Sequence, residues 1–218
     1  MRAPPWVARG AGPAAHFPTP IAVLVAGLLA ALGTVCPGVL PGAEDPPAPA
    51  AAPPAAPRIF AVGTTGMALS APPDWTAIRD SDGAQLVLRA PPPTAVADPG
   101  ERARACAAVS VAVQELRAAE SPEAFARRCR ADLEHLLTAL TVTGQEPVTL
   151  GGRIWTRISY HFQFGKFTWQ QELYATAIDG TGYCVTCSCS ASEYARWQAA
   201  FAAVLASLER SRPALDRP

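Results

Sequence analysis

The sequence predicts an α+β domain, an antiparallel sheet flanked by helices. Two observations carry this. Apolar residues recur at spacings of three and four after Ser121 and again after Ser190, the mark of helices with one buried stripe. Between these segments, residues 154–189 read as strands broken by the two-residue links Gly165-Lys166 and Asp179-Gly180, which have hairpin composition. Two amphipathic helices around a meander belong to folds in which helices pack on an antiparallel sheet. The sheet is expected to hold about five to seven strands.

The elements follow in order. Gly66–Ser70 alternates and leads into the turn Ala71-Pro72-Pro73-Asp74, with Trp75 at its end. Gln85–Arg89 reads as a strand, and Ala107–Gln114 is a β-branched run that sets Val109, Val111 and Val113 on one face. Residues 90–105, rich in Pro, form a long loop between them. Ser121-Pro122-Glu123 starts a helix with a hydroxyl cap, a proline at the first position and an acid near the dipole's positive end. Its stripe is Phe125, Cys129, Leu133, Leu136, Leu137 and Leu140, and the helix is expected near 122–139. Arg127, Arg128 and Arg130 alternate with Glu123, Asp132 and Glu134 as a solvated face.

Pro147–Gly152 ends a strand and turns. Ile154, Ile158, Tyr160 and Phe162 then fall on one side, with Trp155, Arg157, Ser159 and His161 on the other. Phe167–Ile178 returns and Tyr183–Cys189 completes the meander. Ser190 to Glu193 reads as a capping box. It opens a helix near 192–209 with the stripe Tyr194, Trp197, Phe201, Val204, Leu205 and Leu208.

The first quarter of the chain, residues 1–57, differs in character. Residues 1–20 carry Arg2 and Arg9 without an acid, and Ile21–Val35 is a run of apolar or small residues stopped by Cys36-Pro37. A basic start followed by an apolar stretch too short to span a membrane is the pattern of a secretory signal, so 1–36 reads as signal peptide or membrane anchor. Tethering through residues 21–35 is the anchored form of this reading, and Cys36 is a candidate lipidation site. Residues 37–57 are a Pro/Ala-rich linker expected to be disordered, because they lack apolar anchors to offset ordering entropy. The domain runs from 58 to 210, and 211–218 is a disordered tail. The expected location is outside the cytoplasm: periplasm, cell envelope or the secreted fraction.

Charge and motifs narrow the function. The whole chain has 18 basic and 18 acidic residues, and no basic stripe points to nucleic acid. No nucleophile elbow, dinucleotide fingerprint, phosphate loop or zinc-protease motif occurs in the sequence, so no catalytic, cofactor or metal residues are assigned. His135 reads as a helix-edge residue. His161, with Ser159 and Glu172, is the best set for an alternative reading as a small exported enzyme. Trp75, Trp155, Trp169 and Trp197 are expected in the core and on sheet faces.

The order of these signals resembles the PsbP/DcrB-like family of exported α/β/α sandwich domains. Met67–Trp75 (MALSAPPDW) is similar to its opening strand and turn, Val148–Tyr160 (VTLGGRIWTRISY) to its strand pair, and Tyr183–Glu209 to its closing strand and helix. The likeness covers about 59–210. It implies an assembly, accessory or binding module with no catalytic residues to carry over. The expected activity is therefore non-enzymatic binding of an unknown protein or small ligand in the envelope. The contact surface is expected on the 90–105 loop and the exposed face of strands 154–178.

The cysteines depart from that family's pattern. Cys184, Cys187 and Cys189 lie in one strand, where a period of two puts Cys187 and Cys189 on one face and Cys184 on the other. An oxidising compartment favours at least one disulfide. Cys129 is the expected partner of Cys187 or Cys189, with Cys106–Cys184 as the alternative.

Overall fold

The computed structural model describes residues 56–62, 65–81, 84–91, 107–116, 120–165 and 167–210. Residues 1–36, read above as a signal or anchor and including Cys36, most of the stretch read as a linker, residues 92–106 with Cys106, and residues 211–218 lie outside them. The described elements are β1 (Arg58–Val62), β2 (Met67–Ala71), β3 (Thr76–Ser81), β4 (Ala84–Arg89), β5 (Ala108–Glu115), α1 (Pro122–Leu136), β6 (Thr141–Leu150), β7 (Arg153–Phe164), β8 (Phe167–Ile178), β9 (Thr181–Ser190), α2 (Tyr194–Ala206) and β10 (Glu209–Arg210).

Seven strands form one antiparallel sheet in the order β3-β4-β5-β9-β8-β7-β6. The turns set its register. Asp179 and Gly180 both take positive φ, 50° and 76°, the two left-handed positions of a type I′ turn, so Ile178 faces Thr181 and Ala175 faces Cys184. Gly165 takes φ 60°, in line with a glycine-first hairpin, and Phe164 faces Phe167. β6 is longer than the strand end expected at 147–150. It lies at the sheet edge, where Pro147 costs no ladder bond to an outer neighbour, and a register shift between Val142 and Gly144 interrupts it further.

Helices cover both faces, so the architecture is an α/β/α sandwich. α1 begins as expected: Ser121 Oγ accepts from the Ala124 N–H at 3.2 Å, and Pro122 fills the first helical position. Phe125, Ala126, Cys129 and Leu133 pack onto Tyr160, Phe162, Trp169, Leu173 and Cys184. The helix stops short of 139 because the chain must turn into β6, with Ala139 at φ 52°. Leu136, expected in the stripe, is 41% exposed.

On the other face, Phe201, Val204 and Leu205 of α2 join Trp75, Leu88, Val109, Val185, Cys187 and Cys189. The expected capping box does not form. Ser190 is the last residue of β9, and Glu193 occupies the cap position in a helical conformation without a side-chain cap bond. A second sheet, β1-β2-β10, was not foreseen. It completes this layer, and Ser207 clips it to the end of α2: the Ser70 N–H donates to Ser207 Oγ at 2.7 Å.

Candidate functional site

α2 lies over β2 and β9, leaving part of the same face beside β6, β7 and β8 less covered. A cleft of about 410 Å³ lies along the helix there, walled by Val148, Leu150, Tyr174, Tyr194, Phe201 and Leu205. Arg157 of β7 reaches into it between two carboxylates. Register places Glu146 of β6 and Tyr174 of β8 on either side of Arg157. The guanidinium pairs with Glu146 and lies 3.7 Å from Glu172 Oε1, while Tyr174 Oη donates to Glu172 Oε2 at 2.6 Å.

These contacts set the site's electrostatics. The hydrogen bond to Glu146 holds Arg157 above its ordinary pKa, with Glu172 adding to the effect. Burial pushes the Tyr174 and Tyr194 phenols upward, and hydrogen bonds to Glu172 push the same way. Both phenols are protonated donors at neutral pH. The cleft thus combines apolar walls with a polar chain, Glu146–Arg157–Glu172–Tyr174, whose charges are already engaged with one another. Such a site can hold an amphiphilic group by burial and orient it by hydrogen bonds.

Ser159 and Glu172 face each other across the β7–β8 ladder, while His161 faces Gln170 and Thr141. Glu172 is engaged by Tyr174 and Arg157 rather than by His161. A nucleophile–base relay needs those side chains in hydrogen-bond reach of one another. His135 is exposed on α1. Trp75, Trp155 and Trp169 are buried, and Trp75 meets Trp197 edge-on at 6.1 Å. The face of β7 and β8 expected to be free is only half open: Arg157, Ser159, His161 and Glu172 are each partly buried.

The cysteines divide as the strand period requires, Cys184 facing α1 and Cys187 with Cys189 facing α2. The expected pairing of Cys129 with Cys187 or Cys189 is not the arrangement found, because the sheet itself lies between them. Cys129 Sγ meets Cys184 Sγ instead, at 3.7 Å. Sequence reasoning missed the cleft's Arg157–Glu146 pair. Its signal was the turn at Gly151-Gly152, from which counting back along the hairpin sets Glu146 opposite Arg157.

One long antiparallel sheet between two helices, with a small sheet beside the second helix, defines the class by its fold: a PsbP-like α/β/α sandwich. Cyanobacterial PsbP (CyanoP) from Synechocystis superposes with a TM-score of 0.51 at 14% identity, covering 71% of this chain and 92% of that one. LpqN of Mycobacterium tuberculosis, described as involved in cell envelope biogenesis, superposes with a TM-score of 0.53 at 16% identity, covering 71% and 90%. At these identities the likeness is one of fold. No protein-family model matches the chain, and no curated protein matches it.

Proposed function

We propose that this chain is an exported, non-enzymatic accessory module of the cell envelope or secreted fraction, and that it binds its partner in the cleft beside α2. The observation that carries the reading is the paired state of the carboxylates at the cleft. Glu172, the one carboxylate of the set beside Ser159 and His161, is committed to Tyr174 and Arg157. A group held that way orients a ligand; it is poorly placed to move a proton to or from a reacting atom. Export is supported by the basic and apolar start of the sequence and by the Pro/Ala linker, which suits a domain that works on a tether. The envelope role described for LpqN, a protein of the same fold, points the same way.

The test compares two changes in a strain lacking the chromosomal copy. Ala202→Arg places a long side chain into the cleft from an exposed position on α2. Ser159→Ala with His161→Ala removes the candidate catalytic hydroxyl and imidazole and leaves the cleft's polar chain intact. The expected result is that the arginine variant folds but fails to restore the wild-type phenotype, while the double alanine variant restores it. Failure of a folded double alanine variant, with Ala202→Arg fully active, would overturn the reading.

A further inference from the structure

Cys129 and Cys184 are both fully buried, 55 residues apart in sequence, with sulfurs 3.7 Å apart where α1, which lies mainly over β8 and β7, reaches the central strand β9. The neighbours make this contact a direct one. Cys184 stands between Ala112 of β5 and Ala175 of β8 in the sheet register, and Ala126 lies in the same cluster. Small side chains on both adjoining strands leave a slot, and Cys129 fills it from above. Cys187 and Cys189 have no such opportunity. They face the opposite layer, and residues two apart on one strand hold their sulfurs too far apart to bond.

We propose that Cys129 and Cys184 form a disulfide that fastens α1 to β9, and that they are the pair joined when the protein folds in an oxidising medium. The oxidant is a disulfide donor, such as oxidised glutathione or a protein of the thiol-oxidase class. One cysteine thiolate attacks the donor disulfide, giving a mixed disulfide and releasing one donor thiolate. The second cysteine, as thiolate, attacks the protein sulfur of that mixed disulfide and releases the other. Two protein thiols are thereby oxidised to one disulfide, the donor disulfide is reduced to two thiols, and the two protons pass to the released thiolates. The contact with Cys129, and then burial, push the Cys184 thiol well above its ordinary pKa, which leaves little of it as reactive thiolate once the core has closed. Both sulfurs are fully buried in the closed core, so the donor reaches them as α1 settles into the slot.

The experiment refolds the full chain with reduced and oxidised glutathione, then alkylates it in denaturant with and without prior reduction and measures intact mass. Wild type is expected to take up two fewer alkyl groups without reduction than with it. The Cys187→Ser/Cys189→Ser variant should show the same difference, and Cys129→Ser and Cys184→Ser should each abolish it. A second reading uses wild type alone: adding reductant should lower the urea midpoint. Equal alkylation with and without reduction in wild type would overturn the proposal, as would a bond that persists in Cys129→Ser or disappears in Cys187→Ser/Cys189→Ser. An oxidised wild type whose urea midpoint ignores reductant would overturn the fastening role.

Discussion

Gly182 of β9 lies so close to Phe125 of α1 that a β-carbon on the glycine would stand 2.5 Å from the phenyl ring. Phe125 is fully buried, and Leu116 closes the other side of the gap at 3.2 Å, so the ring has little room to yield. Gly182→Ala is expected to destabilise the domain by about 1–3 kcal/mol, the usual cost of overpacking a filled core. Urea unfolding followed by tryptophan fluorescence measures it. Gly144→Ala is the control, since nothing lies within 4 Å of a β-carbon there.

A buried polar chain crosses the α1 side of the sheet. Tyr160 Oη donates to Gln171 Oε1 at 2.5 Å, and Gln171 Nε2 donates to Ser188 Oγ at 2.9 Å. Tyr160→Phe strands the Gln171 carbonyl in the core and is expected to cost about 1–3 kcal/mol, the penalty for an unsatisfied buried acceptor. Replacing the set together, Tyr160→Phe with Gln171→Met and Ser188→Ala, removes the need for partners. That variant should be more stable than Tyr160→Phe alone, and a thermal melt of the two compares them.

Alkaline pH should weaken the reduced protein in two stages. Burial pushes the Cys189 thiol up to about 12 and Cys187 well above its ordinary value, and it raises Tyr160, Tyr174 and Tyr194. A folded pKa above the unfolded one gives stability that is complete below the unfolded value and lost as pH climbs toward the folded value. The loss should begin near about pH 9 with the thiols and steepen above about pH 10 with the phenols, at up to about 1.4 kcal/mol per pH unit for each group. Urea midpoints from about pH 8 to about pH 11 trace it. Cys189→Ala should make the first stage shallower, with Cys184 and Cys187 still contributing, and leave the second.

Much of the sheet was legible because short turns make register a matter of counting. From Asp179-Gly180 and Gly165-Lys166, the pairings Ala175 with Cys184 and Ser159 with Glu172 follow directly. The two helices were legible from their stripes. What escaped were elements with no period of their own. β1, β3 and β10 are short, and they become strands because β2 and β4 offer free edges. The capping box failed because β9 keeps Ser190 in its ladder, opposite Trp169. The cysteine pairing was misread for want of one fact, which helix covers which face. Period two separated Cys184 from Cys187 and Cys189, but it could not say that Cys129 arrives on the Cys184 side.

The order in which strands lie side by side has a consequence for the chain as it emerges from the ribosome. β3, β4 and β5 come early, and β6, β7 and β8 come late. The two blocks share no ladder except through β9, whose residues 181–190 lie near the end of the domain. Until β9 is released, β5 and β8 each present a bare edge, and the seam between them cannot close. Pairing of distant segments is slow and leaves sticky edges exposed while it waits. The early block is thus a half-sheet whose β5 edge stays bare until its keystone, β9, arrives.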